Sequence, residues 1–294
     1  MSGGLFGWGM YLVSLLTMSG IYAVLALGLN IQWGMTGLFN AGIAGFFAIG
    51  AYASAILTSP ASSDHLGGFG LPVPLGLVAS MAAAGLIAWP IGRICLRLRS
   101  DYLAIATIGI AEILRLVLKN EQWLTAGTRG ITDVPRPFES WPTPWWQIAY
   151  LGIVAVIVLA LYQLLERGRR APWGRVMRAI RENAEAAEAA GKDVVRFQLQ
   201  AFVLGSMIMG LGGALMAHYA KFIGPEATEP LATTFLVWVM LIAGGSGNNR
   251  GAILGCLVIW TIWSATELFT NELPAEWLTR ASYIRVFLIG LLLQ

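Results

Sequence analysis

The chain has 294 residues, of which 57% are hydrophobic and 12% charged, with a formal net charge of +3. A soluble domain carries about 25% charged residues, so composition excludes a soluble enzyme and indicates a multi-span membrane protein. The 35 glycines and 12 tryptophans fit that class, and the small basic excess sits mostly in one loop, which indicates membrane orientation and not nucleic-acid binding.

A crossing helix needs about 20 apolar residues. In chain order the sequence predicts spans near 8–30, 36–57, 71–96, 101–118, 146–165, 197–219, 231–246, 251–270 and 282–294. The first segment lacks the basic leader of a signal peptide and is read as a retained span. No Ser/Pro-rich linker divides the chain, so residues 1–294 form a single membrane domain, an all-α polytopic bundle of about 8–10 spans. Arg167, Arg169, Arg170, Arg175, Arg178, Arg181, Lys192 and Arg196 place the 166–196 loop in the cytoplasm. Alternating outward from it, the Arg93/Arg97/Arg99 turn and the Arg250 turn also fall inside. Loops 58–70, 119–145 and 271–281 and the N-terminus fall outside.

Within the inner loop, residues 175–190 are strong helix formers, and Gly191 is placed to end the helix in the left-handed conformation. The spacing predicts i,i+4 pairs Arg178–Glu182 and Arg181–Glu185. A thin apolar stripe runs through Val176, Ile180, Ala184 and Ala187. This helix, bounded at 174–191, is too short and polar to span. It is either a surface link between spans or a docking helix for a soluble partner, with Arg178, Arg181, Glu182, Glu185, Ala186, Ala187 and Gly191 as its contacts.

Polar residues in apolar spans are the other candidates. Glu112 and Arg115, spaced i,i+3, form either a neutralising pair or a polar patch on a solute path or partner contact. Asn30, Gln32, Thr36 and Asn40 cluster around the first inner turn. Asn40 opens the second span, followed by Gly42, and either bonds nearby backbone or lines the path; Thr107 joins the same candidate path. The run GGSGNNRGAILG lacks the Lys of a phosphate-binding loop. Its Gly244, Gly245, Gly247 and Arg250 read as a tight inner turn with a possible gating role. His65, His218, Cys95 and Cys256 form no metal or catalytic constellation, so no site of either kind is assigned.

Several stretches carry a resemblance. Glu185-Ala186-Ala187, three residues and Gly191 match the EAAxxxG element of ABC importer coupling loops, although the downstream I-LP element is absent. TGLFNAGIAGFFAIGAY (36–52), DYLAIATIGIAEILRLVLKNEQWLTAGTRGITDVPRP (101–137), GRVMRAIREN (174–183) and LIAGGSGNNRGAILG (241–255) resemble, in order, the permeases of branched-chain amino-acid ABC importers of the LivM-like branch. Two positions depart from that pattern: Asn40, where the family often has Ser, and Ile43, where it often has His.

The resemblance implies a non-enzymatic permease subunit in a bacterial inner membrane, with the type II importer arrangement. A second homologous permease, two ATPase subunits and an extracytoplasmic binding protein would complete the transporter. The chain itself would hold no cofactor, because ATP and Mg would be bound by the ATPases. Its cargo would be branched-chain or neutral amino acids or related small polar solutes, passing Asn30, Asn40, Gly42, Ile43, Thr107, Glu112 and Arg115. The alternative is an ion-coupled secondary transporter or channel, which would want buried acids to hold the ion.

Overall fold

The computed structural model describes residues 2–62, 65–98, 100–228 and 230–270. Helix α1, Ser2–Leu29, runs on into a π-helical turn, Asn30–Met35, and the chain is then non-helical until α2, Ile43–Thr58. After it come α3 (Val73–Cys95), α4 (Ser100–Asn120), a short α5 (Gln122–Thr125) and α6 (Trp145–Arg170). The basic loop holds α7 (Pro172–Glu182) and α8 (Ala184–Ala189). The order closes with α9 (Val194–Ala220), α10 (Pro230–Gly244) and α11 (Asn249–Thr270).

Among the described residues, four segments are long and apolar enough to cross a membrane by length and composition alone: Phe6–Met35, Val73–Cys95, Trp145–Arg170 and Val194–Ala220. Two further apolar helices, Ile43–Thr58 and Thr233–Gly244, are shorter. Helix α4 carries Asp101, Glu112, Arg115 and Lys119, which lower its apolar character. The expected span 282–294 and the expected outer loop 271–281 lie outside the described residues.

Two expected boundaries move. The second span starts at Ile43 and not at 36, because the glycine-rich stretch before it leaves the helical path. The expected continuous helix 175–190 is two helices. Asn183, extended at φ −156° and ψ 103°, ends α7 and accepts the Ala186 N–H on its side chain to start α8. This cap takes Arg181 and Glu185 off a common helix, so their expected i,i+4 pairing is not made. Gly191 does take the left-handed conformation, φ +76°.

Helix α9 is the central element, packed on α1, α2 and α3. Lipid tails are as apolar as leucine, so helices gain little from burying apolar surface against one another and rely on close contact. A Cβ on Gly213 would stand 2.0 Å from the Phe47 carbonyl oxygen, and one on Gly50 would stand 2.1 Å from that of Gly210. Backbone therefore meets backbone at the α2–α9 crossing.

One end of the bundle is tied by the segment after α4. Ile131 pairs with Ile223 as an isolated antiparallel bridge. Pro135 accepts from His218 Nδ1 at 2.6 Å, the Arg136 guanidinium donates to the Tyr219 carbonyl, and Lys221 bonds Glu139. Leu66 N–H donates to the Trp123 carbonyl, bringing loop 58–71 to the same end. The basic loop lies at the opposite end, in agreement with the alternation read from Lys and Arg.

Gly213→Val should wedge α2 and α9 apart at a cost of about 1–3 kcal/mol. The expected result is a melting temperature several degrees lower in detergent, while Gly152→Ala, where an added Cβ meets nothing within 4 Å, leaves it unchanged or higher. The clasp should respond to acid. Lys221 holds the Glu139 carboxyl below the usual carboxylate range, so the pairing contributes above the unfolded value of about 4.3 and is lost as pH falls through the lower folded value. Amide exchange at Ile131 and Val134, corrected for intrinsic rate, should accelerate over that acid window.

Candidate functional site at the break between the first two helices

The sequence GMTGLFNAGI cannot continue α1. Gly34, Gly37 and Gly42 weaken the helix, and Gly37 sits at φ +74°. The resulting irregular segment is enclosed by the bundle: Asn40, Ala41 and Ile43 are buried, and Thr36 is 3% exposed. Peptide groups in such a place need partners from the protein. Leu38 N–H donates to the Gln32 carbonyl and Asn40 N–H to the Leu38 carbonyl. Ala41 N–H donates to Thr107 Oγ1 of α4 at 3.0 Å, and Gly42 N–H to the Asn40 side chain at 2.8 Å. Ala44 N–H donates to Thr234 Oγ1 of α10 at 3.2 Å, and the Trp238 indole donates to the Asn40 carbonyl.

Gln32 holds this segment to α9. Its Nε2 donates to the Phe202 carbonyl at 2.8 Å, and its Oε1 accepts from Asn40 Nδ2 at 2.8 Å. Three aromatics close the side facing α10. Phe39 stacks on Trp238 with centroids 4.3 Å apart, and Trp33 meets both edge-on.

The basic end lies below the break. Asn30 Nδ2 donates to Asn249 Oδ1 at 2.8 Å, and Asn30 Oδ1 accepts the Gly247 N–H at 2.7 Å. Gly247 makes that contact at φ +84°, which favours glycine. Asn249 Nδ2 reaches Glu166, which also pairs with Arg169 and Arg170. From the loop, Arg181 Nη1 donates to the Gly34 carbonyl at 2.7 Å. One hydrogen-bonded floor thus joins the end of α1, the 244–249 turn, the end of α6 and α7.

The structure brings Asn40, Gly42 and Thr107 together, with Ile43 beside them, and places Asn30 at the floor. All are enclosed in this conformation, with the polar groups of Asn30, Asn40 and Thr107 engaged in internal bonds. Glu112 and Arg115 stand elsewhere, on the outward side of α4. They pair through two bonds, at 2.9 and 2.5 Å, with the Glu112 side chain 39% exposed and that of Arg115 23%. The acid that an ion-coupled transporter would use is therefore already paired. Gly244 and Gly245 end α10, and Arg250 donates from Nε to the Tyr162 hydroxyl at 2.9 Å. Along the loop, Arg178, Glu182, Glu185 and Ala186 are exposed and Ala187 is buried.

Sequence reasoning missed Thr234, Trp238, Glu166 and Asn249. The only signals were an acid where an apolar run meets a basic loop and the paired Asn of the Gly-rich turn.

The family described as "Branched-chain amino acid transport system / permease component" matches residues 11–293. The chain belongs to this permease family. It is 34% identical over 272 residues to the high-affinity branched-chain amino acid transport system permease protein LivM of Salmonella typhimurium, and 33% identical over 273 residues to LivM of Escherichia coli. Each match covers 84% of this chain and 61% of the relative's length. The permease is also 23% identical over 297 residues to LivH of Salmonella typhimurium, a match covering 94% of this chain and 91% of that protein. No solved structure matches it.

In this permease, Asn40→Leu would strip Gly42 N–H and Gln32 Oε1 of their buried partners, at about 1–3 kcal/mol each. A clear fall in melting temperature is expected. An unchanged value would mean that Asn40 does not support the break.

Proposed function

We propose that the chain is the membrane-spanning permease subunit of an ATP-driven importer in a bacterial inner membrane. Its cargo would be branched-chain or other neutral amino acids, handed over by an extracytoplasmic binding protein. Two ATPase subunits supply the ATP and Mg chemistry, and a second, LivH-like permease completes the path. The names of its LivM and LivH relatives support the substrate class and the permease pair.

The observation that carries the mechanism is the bond from Arg181 to the Gly34 carbonyl. The α7–α8 elbow is the charged, exposed element of the basic loop, and through Arg181 it grips the end of α1 at the non-helical break. An ATPase seated on Arg178, Glu182, Glu185 and Ala186, with Ala187 and Gly191 fixing the elbow's shape, displaces the elbow on nucleotide binding. Arg181 passes that displacement to Gly34, and the Asn30–Gly247 and Asn30–Asn249 bonds spread it to the 244–249 turn. Gly244, Gly245, Gly247 and Arg250 then act as the inner gate.

The solute path runs outside the sealed core, along the face of α4 that carries Glu112 and Arg115. A charged pair on an outward helix face is costly against lipid and suits a water-lined seam with the second permease. Asn30, Asn40, Gly42, Ile43 and Thr107 serve that path from behind, as the joint that lets α4 and α2 shift. Residues 1–294 work as one domain in this scheme.

Arg181→Ala should leave ATP hydrolysis by the assembled transporter within about twofold of wild type and lower leucine uptake by roughly tenfold, a loss of about 1.4 kcal/mol in coupling. Hydrolysis and radiolabelled uptake are measured on the same proteoliposomes. Uptake at the wild-type level would remove the lever role. Ala186→Trp, on the exposed side of α8, should instead detach the ATPase on co-purification.

A further inference from the structure

A groove of about 890 Å³ opens between α3 and α9 at the basic end, remote from the helix break. Trp89 and Arg93, spaced i,i+4, share one face of the last turns of α3, and Arg97 follows from the turn just after its end, so all three line the same side of the groove. Opposite them, Arg196, Leu199 and Val203 form a stripe on the first turns of α9. The deeper wall, toward the middle of the bundle, is apolar: Leu199, Val203, Leu204 and the face of Trp89. The mouth carries the guanidinium groups of Arg93, Arg97 and Arg196.

Among the described residues, none of these three arginines makes an ion pair. Arg93 lies over the Trp89 ring, 4.3 Å from its centroid. The acid at the mouth, Asp193, is turned to the backbone, where its carboxylate accepts the Arg196 N–H at 3.0 Å. Three cations and one acid leave two positive charges uncompensated. The charge lies where the bundle meets the inner membrane surface, about 12 Å, or eight helical residues, from Leu204 at the apolar end.

We propose that this groove is a binding site for an anionic phospholipid, with the phosphate held by Arg93, Arg97 and Arg196 and an acyl chain laid along Leu199, Val203 and Leu204. The charge sign, the amphipathic division of the walls and the depth order match an inner-leaflet lipid. A soluble anion would use the mouth and leave the apolar wall bare. Basic pockets between spans on the cytoplasmic side are suited to such headgroups. The groove uses no residue of the helix break or of the α7–α8 elbow.

The test is native mass spectrometry of the full chain released from nanodiscs of equal phosphatidylglycerol and phosphatidylcholine. Wild type should retain phosphatidylglycerol over phosphatidylcholine by about tenfold. The triple variant Arg93→Gln, Arg97→Gln, Arg196→Gln should show a ratio near one with an unchanged melting temperature. Brominated phosphatidylglycerol should also quench wild type more than Trp89→Phe, locating the lipid at the groove. An undiminished ratio in the triple variant, or quenching that does not depend on Trp89, overturns the proposal. So does loss of a co-purifying ATPase from the triple variant while the lipid ratio holds, because the groove would then be a protein contact.

Discussion

A peptide group inside a bilayer has no water to bond, and this constraint organises the molecule. Residues 36–42 leave the helix while enclosed by the bundle, so their polar groups must find partners within the protein. Ala41 N–H finds Thr107 of α4, and the Asn40 carbonyl accepts from the Trp238 indole of α10, beside the bond from Ala44 N–H at the start of α2 to Thr234; the Asn40 side chain donates to Gln32, which in turn donates to the Phe202 carbonyl of α9. Three helices, α4, α9 and α10, are therefore referenced to one short stretch of irregular backbone. Moving any of them disturbs bonds that the others share.

This arrangement gives small residues two different tasks. At the α2–α9 crossing, Gly50, Gly210 and Gly213 allow contact so close that the helices behave as one block. At the break, glycines let the chain bend and expose its peptide groups to side-chain partners. A rigid block beside a hydrogen-bonded joint is a workable layout for a transporter. In the proposed mechanism, force entering at the basic end would meet a part that yields before it meets a part that does not.

Much of this architecture is legible in the sequence. Apolar run length located the helices, and the Lys and Arg bias placed the ends that the structure brings together. Gly191 announced its turn, and the spacing of Glu112 and Arg115 announced their pair. What remained hidden depends on distance across the fold. Nothing in the spacing along the chain joins Asn30 to Asn249 or Ala41 to Thr107, because those bonds follow from how the helices cross. The basic loop misled for a local reason. Ala, Arg and Glu favour an unbroken helix over 175–190, but Asn183 bonds the backbone ahead of it and restarts the helix. Once the helix turns there, Arg181 is directed toward Gly34.

The outward side of α4 has a consequence for the life of the newly made chain. Ile105, Ile113 and Val117 on that helix are 68%, 60% and 47% exposed, and the Glu112–Arg115 couple sits among them. A copy inserted alone would press that couple against acyl chains, and its cost there is relieved when a neighbour covers it. In the proposed assembly, solitary copies would therefore be the less stable species, and pairing would be the step that hides this couple from the acyl chains.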